Sequence, residues 1–224
     1  MTITYHRDLL QGSDEWLAAR CGLLTASEMD RIITAKTLKP AKGDGMSAHF
    51  WEMLAQRVTG HVEPQYVSDD MIRGQADEIE ARSLYAKHHA TVQDVGFVTR
   101  DDWGFTIGCS PDGLVGETGL IEIKSRRQRF QIETIVNGAM PDDYRIQVQT
   151  ALLVTQREWC DFISYSGGMP LAVYRVLPDE EVQAAIIEVA SAFEKSIAVM
   201  MAEYHARSAG MIPTERRIEQ EMTL

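Results

Sequence analysis

Ser110-Pro111-Asp112-Gly113, followed after a short connection by Ile121-Glu122-Ile123-Lys124, is the stretch on which the reading of this chain turns. In a strand, residues two apart point to one face and lie about 6–7 Å apart, so Glu122 and Lys124 project together while Ile121 and Ile123 face a core. Charged side chains are rare in a central strand unless something compensates them. The nine residues 113–121 permit a hairpin-like return that sets Asp112 beside Glu122. Two carboxylates and an ammonium group then converge. Hard divalent cations take oxygen ligands, and magnesium is commonly held by one or two carboxylates together with water and phosphate. Asp112 and Glu122 meet that need, and the backbone carbonyl of Ile123 offers a further oxygen between the two polar side chains. A metal there stabilises charge on a phosphate under attack and favours ionisation of the attacking water, while Lys124 orients that water or neutralises charge. The products would carry a 5′-phosphate. On the residues alone, a surface ion pair between Glu122 and Lys124 beside a Pro-Asp-Gly turn is the alternative.

The 224 residues fit one globular domain, and a hydrophobic content of 45% is enough to fill its core. No apolar run approaches the roughly 20 residues needed to cross a bilayer. The N-terminus, Met-Thr-Ile-Thr-Tyr-His-Arg-Asp, lacks the basic-then-apolar order of a signal peptide, which points to a soluble cytoplasmic protein without a membrane partner. Cys21, Cys109 and Cys160 are widely separated, form no Cys-x-x-Cys pair, and fall short of the four thiolates of a cysteine-held iron–sulfur cluster. They read as small buried side chains. The six histidines make no metal-ligand pattern with the carboxylates, and no Gly-x-Ser-x-Gly elbow supports a serine hydrolase. A formal net charge of −11 runs against a polyanionic partner, because phosphate contacts come from lysine and arginine. Local distribution counts for more. Lys124-Ser125-Arg126-Arg127-Gln128-Arg129 is basic, and Lys36, Lys39 and Lys42 cluster in a Gly/Pro-containing segment.

Thr25-Ala26-Ser27-Glu28 reads as a capping box opening a short helix with Met29, Ile32 and Ile33. Residues 34–46 read as a mobile loop able to close over a ligand, and Ser47 as the start of a helix that Gly60 ends. Residues 69–89 are helical in pattern, with Glu78 one turn from Arg82. Short β-branched or aromatic runs at 92–98, 105–109 and 120–123, punctuated by glycines, predict three strands. Helices over 129–136 and 142–154 and strands over 160–165 and 172–176 follow. After Pro178, Val182, Ile186, Val189, Phe193, Ile197, Met200 and Tyr204 keep helical spacing. This order predicts an α/β fold with a central mixed β-sheet flanked by helices. Its parts are an N-terminal helical portion over about 1–90, a sheet core over about 91–178 and a C-terminal helix over about 179–207, all in one domain spanning 1–224.

The Ser110–Gly113 and Ile121–Lys124 segments resemble the core of the PD-(D/E)xK nuclease superfamily. Further blocks are similar to the phage lambda exonuclease family of YqaJ-like viral recombination nucleases. These blocks are Trp16-Leu17-Ala18-Ala19-Arg20-Cys21-Gly22-Leu23-Leu24-Thr25-Ala26-Ser27, Gly74-Gln75-Ala76-Asp77-Glu78 with Ala81-Arg82, and Gln147-Val148-Gln149. The resemblance implies a restriction-endonuclease-like core. It makes Asp112, Glu122 and Lys124 catalytic, adds Glu78 as a carboxylate near two magnesium ions, for which manganese can substitute, and sets Gln149 at the site edge. A second ion independently calls for more negative charge, since two-metal sites clamp both attacking and leaving oxygens. The plain alternative for Glu78 is an intrahelical pair with Arg82.

The same resemblance gives Arg20, Ser27 and Ser110 the terminal 5′-phosphate of a duplex, a task suited to an arginine fork and hydroxyl donors. Met71 matches the position of an apolar wedge that melts the duplex end, although Arg73 departs from the aromatic residue of the lambda protein. The implied activity is a magnesium-dependent 5′-to-3′ double-stranded DNA exonuclease that releases mononucleotides and leaves a 3′-ended strand. A ring-shaped homotrimer around DNA and a phage-type single-strand annealing protein as partner are implied with it. The competing readings are a structure-specific DNA endonuclease on the same core and a non-catalytic DNA-end-binding recombination scaffold.

Overall fold

The computed structural model describes residues 2–64 and 68–216; Met1 and 217–224, the ends of the expected domain, lie outside the described residues. The chain runs β1 (Thr2–His6), α1 (Asp14–Arg20), β2 (Leu24–Thr25), a 3-10 segment (Ala26–Arg31), α2 (Asp44–Thr59) and α3 (Asp69–His88). It continues through β3 (Phe97–Asp101), β4 (Thr106–Cys109), β5 (Gly113–Val115), β6 (Gly119–Ser125) and α4 (Gln128–Asn137). A second 3-10 turn (Asp142–Tyr144) leads into α5 (Arg145–Thr155), β7 (Trp159–Tyr165), β8 (Ala172–Val176) and α6 (Glu180–Ser208).

The fold is mixed α/β, as expected, but its strands form two four-stranded ladders rather than one sheet, in the orders β1-β3-β4-β2 and β5-β6-β7-β8. The break falls at Ser110-Pro111-Asp112, between β4 and β5. Pro111 has no amide hydrogen to give a ladder, so the chain is free to turn there from one sheet into the other. In the second sheet β5 and β6 form the expected hairpin, with Gly113 opposite Ile121, and β6 runs parallel to β7 with Glu122 opposite Phe162.

Alternation along β6 divides the interior in two. Ile121 and Ile123 join Val115, Ile163 and the α3 residues Ala81 and Tyr85 in a small cluster. Leu120 and Phe162 join the main core with Leu24, Met29, Ile107, residues of α5 such as Ile146 and Leu152, and Val182 and Ile186 of α6. Glu122, on the Leu120 side of the strand, therefore faces α5, while α3 lies on the Ile121 side. The Ser68 hydroxyl caps α3 by accepting from the Met71 amide at 3.3 Å, with Asp69 and Asp70 in the first turn and Lys87 and His88 in the last.

Three local expectations change. Thr25 makes no side-chain cap; its hydroxyl donates instead to Glu28 Oε2 at 3.1 Å, and the segment it precedes is 3-10 rather than α-helical. The stretch read as a mobile loop is tied across itself by an Ile33–Pro40 bridge and the Thr34 amide bonding to the Lys39 carbonyl at 3.0 Å, and α2 begins at Asp44. Residues 92–96 precede β3 instead of belonging to it, with a single bridge from Gln93 to Leu114. No described helix is long and apolar enough to cross a membrane.

Gly96 is where the segment before α1 meets the sheet. A Cβ added there would lie 1.9 Å from the Leu9 carbonyl oxygen, and the Gly96 carbonyl accepts from the Trp16 indole at 3.1 Å. Gly96→Ala must push this segment outward, at a cost of about 1–3 kcal/mol. Thermal unfolding should show a midpoint lowered by several degrees; an unchanged midpoint would refute the close approach.

Candidate active site

The hairpin sets Asp112 where β5 stops pairing with β6. The Asp112 amide donates to the Ile121 carbonyl at 3.2 Å, and its side-chain Oδ2 accepts from the Ile123 amide at 2.5 Å. The carboxylate thus takes the place of a strand carbonyl and is locked beside Glu122. Glu122 is 3% exposed; Lys124 Nζ lies 2.8 Å from its Oε1, which also accepts from the Gln147 amide at 2.5 Å. α3 brings Glu78 to the same group. Arg82, its possible intrahelical partner, is bonded instead to Asp94.

Burial pushes the Asp112 pKa well above the ordinary carboxylate range, and the charges of Glu122 and Glu78 push it further; Lys124 and the Ile123 amide oppose them. Glu78 is raised by burial and then by Glu122, against Lys124 and Arg82. Burial alone would lower the Lys124 pKa, but Glu122 and Asp112 outweigh it and raise the group above its usual value. Beside these carboxylates Lys124 is held as an ammonium. Three carboxylates share this one ammonium, an excess of negative charge that a divalent cation would relieve. Among the described residues no three Asp, Glu, His or Cys side chains form a ready-made metal cage. Glu122 Oε1 is engaged by Lys124 and Gln147, both of which are long side chains able to withdraw.

A second group gathers beside the first. Arg20, on α1, reaches the Ser110 hydroxyl at 3.4 Å, Thr25 Oγ1 at 3.1 Å and Ser27 Oγ at 3.1 Å, with its guanidinium 4.2 Å from the Trp16 ring centroid. The Trp16 indole also donates to Ser110 Oγ at 2.9 Å. All three hydroxyl partners are neutral, so Arg20 keeps its charge for an anion. Burial lowers its pKa, with Glu28 opposing, yet an arginine stays protonated near neutrality. Both groups line one cavity of about 190 Å³, which includes Arg20, Ser27, Ser110, Asp112, Glu122 and Lys124.

Of the residues singled out in the sequence, Arg20, Ser27, Ser110, Asp112, Glu122 and Lys124 line this cavity, while Glu78, Gln149 and Met71 do not. The Gln149 side chain points away: its amide donates to the Leu177 carbonyl at 2.8 Å and its oxygen accepts from the Asp179 amide at 2.8 Å, so it braces the entry to α6. Gln147 is the amide at the cavity. Two residues along a helix are about 200° apart around its axis, so only one of the pair can face the site. Trp16 and Gln11 also line the cavity, and the only sequence signal for either is the spacing of one helical turn between Trp16 and Arg20. Met71 is 47% exposed in the first turn of α3, apart from the cavity lining. Of the basic run, Arg127 pairs with Asp70 at 2.9 Å and Arg126 donates to the Tyr144 hydroxyl at 2.6 Å, while Lys36, Lys39 and Lys42 are exposed.

A model of the YqaJ-like viral recombinase domain matches residues 15–158, a span that holds both groups. The chain belongs to this family. Among solved structures it is similar to an alkaline exonuclease, LHK-Exo, from Laribacter hongkongensis, at 33% identity and a TM-score of 0.78, over 89% of this chain and all of that one. The same exonuclease in complex with dAMP gives a TM-score of 0.79. A phage-related exonuclease from Haemophilus somnus 129PT shares the fold at 15% identity and a TM-score of 0.61, over 81% of this chain and 96% of that one. No curated protein matches the sequence.

In this YqaJ-like domain the raised Asp112 pKa has a consequence for stability. A carboxyl whose folded-state pKa lies above its unfolded value, near 3.8, contributes stability below that value and loses it as pH rises through the folded one. Without bound metal Asp112 therefore costs stability at neutral pH, because folding either buries a charge there or must protonate the carboxyl. Asp112→Asn should melt several degrees above the parent at pH 7–8 without divalent cations, and the difference should shrink as pH falls towards 4. A variant less stable than the parent at neutral pH would contradict this electrostatic picture.

Proposed function

We propose that this chain is a magnesium-dependent 5′-to-3′ exonuclease of double-stranded DNA, releasing 5′-mononucleotides and leaving a 3′-ended strand for recombination by annealing. The observation that carries the proposal is the shared cavity, in which an arginine hydrogen-bonded to hydroxyls opens onto the carboxylate–lysine group. The likeness to an alkaline exonuclease, and that enzyme's complex with dAMP, supports nucleotide release.

Arg20, Ser27 and Ser110 bind the terminal 5′-phosphate through charge-assisted and hydroxyl hydrogen bonds. That contact fixes the next phosphodiester over Asp112, Glu122 and Lys124 and converts a search along DNA into a positioned reaction. Asp112, Glu122, Glu78 and the Ile123 carbonyl are the oxygens available to hold two ions. Bound magnesium, or manganese in its place, supplies Lewis-acid polarisation of the phosphate and lowers the pKa of water. Lys124, kept protonated, orients the attacking water and neutralises charge that grows on the phosphate oxygens. Attack forms a new P–O bond and breaks the bond to the 3′ oxygen of the end nucleotide. The shortened strand again ends in a 5′-phosphate, so the product end is the next substrate end.

By family resemblance, Met71 at the exposed start of α3 is the wedge that opens the duplex, a homotrimer encircles the DNA, and a single-strand annealing protein takes the 3′-ended strand. A ring with its basic residues inside reconciles the net charge of −11 with a polyanionic substrate.

Digestion of a 5′-end-labelled linear duplex beside a covalently closed circle tests the proposal. The expected result is labelled mononucleotide only when MgCl2 is present, an intact circle, and a rate lowered on the order of 10²–10³-fold or more by Glu122→Gln. Cutting of the circle would favour the endonuclease reading. Undiminished digestion by Glu122→Gln would end the mechanism.

A further inference from the structure

Tyr85, Asp161 and Arg175 form a polar group on the sheet face opposite the cavity, and none of them has a role in the mechanism above. The Tyr85 hydroxyl donates to Asp161 Oδ2 at 2.7 Å, and Arg175 donates from Nε and Nη2 to both Asp161 oxygens at 2.8 and 2.9 Å. The Arg175 guanidinium lies 3.7 Å from the Trp159 ring centroid, which closes the group on its solvent side. Asp161 and Tyr85 are both buried, and their surroundings are otherwise apolar: Ala81, Val115, Ile121, Ile123 and Ile163.

An apolar interface between α3 and the sheet would resist separation but do little to fix the rotation or axial position of the helix, because hydrophobic contact is non-directional. A buried carboxylate behaves differently. It must keep its hydrogen bonds or bear a desolvation cost of several kcal/mol, so the Tyr85 hydroxyl has a single acceptable seat. Glu78 lies two turns before Tyr85, with the fully buried Ala81 between them, so the three residues share a face of α3. At the other end of that stretch, Asp77 accepts from the Ser125 hydroxyl at 2.5 Å, immediately after Lys124. The turn carrying Glu78 is therefore held between a bond to the end of β6 and a bond to β7. The pairing of β5 with β6 stops at Gly113–Ile121, Asp112 bonds the Ile121 carbonyl and the Ile123 amide beyond it, and Glu78 comes near enough to Glu122 for that charge to act on it.

We infer that Tyr85 is a positioning residue: its hydrogen bond to Asp161 fixes the seat of α3 on the sheet and thereby the approach of Glu78 to Glu122. The inference rests on the proposed reading of Asp112, Glu122 and Glu78 as an ion-binding group. Tyr85→Phe keeps the ring and removes only the hydroxyl, while Asp161 retains Arg175 as a partner.

Calorimetric titration of Mg2+ into DNA-free protein tests it. Tyr85→Phe should weaken Mg2+ binding about 3–10-fold and reduce the rise in melting temperature that MgCl2 produces. Asp161→Asn, which keeps an acceptor for the hydroxyl, should stay within about twofold of the parent. Arg175→Gln loosens the same carboxylate from its exposed side and should weaken binding by a smaller factor than Tyr85→Phe. In a Glu78→Gln background Tyr85→Phe should cause no further loss, because the residue it positions is gone. Ile163→Val, a packing change in the same interface, should lower the melting temperature without changing Mg2+ affinity. Parent-like Mg2+ binding by Tyr85→Phe, or an equal loss with and without Glu78, would overturn the inference. If Glu122→Gln abolishes Mg2+ binding while Tyr85→Phe leaves it intact, only the positioning role fails. If Glu122→Gln itself binds Mg2+ like the parent, the ion-binding reading fails and the positioning role falls with it.

Discussion

The Asp112 carboxylate accepts a hydrogen bond from the Ile123 amide at the point where the β5–β6 ladder ends. A strand would ordinarily offer a backbone carbonyl there; Pro111 and the turn around it substitute a charged side chain. The substitution ties a carboxylate to the strand that carries Glu122 and Lys124. It also gathers three acids into a recess with one ammonium, and burial and mutual repulsion raise the pKa values of Asp112 and Glu78. Such an arrangement costs stability, and the surrounding fold supplies it. The main core behind Glu122, the smaller cluster beneath Ile121 and Ile123, and the Gln147 amide on α5 hold the acids together.

The group around Arg20 is the complementary half. Arg20 is held over Trp16 and among hydroxyls that carry no charge, with Glu28 acting on it only through space. An anion is attracted to that point while the nearby acids call for cations, the two demands that the proposed function assigns to an end phosphate and to divalent ions. This local polarity matters more than the overall acidity of the chain. With a net charge of −11 the chain as a whole repels a polyanion, so the proposed function relies on where its basic residues lie.

Much of this is visible in the sequence, for identifiable reasons. The Glu-x-Lys pair between isoleucines gives both the strand and its facing, because a period of two assigns sides without ambiguity. The 69–89 pattern and the long apolar spacing after Pro178 correspond closely to α3 and α6, since long amphipathic helices carry redundant signal. Short elements do not. β2 has two residues and β5 three, too few for any periodicity, and both exist because neighbouring strands complete their hydrogen bonding. The division of the strands between two sheets is likewise a tertiary outcome. Two amides two residues apart are chemically identical in a sequence, and only the seat of α5 decides that Gln147 faces Glu122 while Gln149 faces the entry to α6. Thr25 was read as a helix cap, but its hydroxyl serves Glu28 and Arg20, a use that depends on residues brought close only by the fold.

The central claim is that one pocket reads the end phosphate that the adjacent acids then exploit. Single-turnover digestion of a duplex with a phosphate on one 5′ end and a hydroxyl on the other, both strands distinguishably labelled, tests it most directly. The phosphorylated strand should be degraded first and faster by the parent, and that preference should vanish in Arg20→Ala. Equal degradation of both strands by the parent, or a preference that survives the loss of Arg20, would contradict the account.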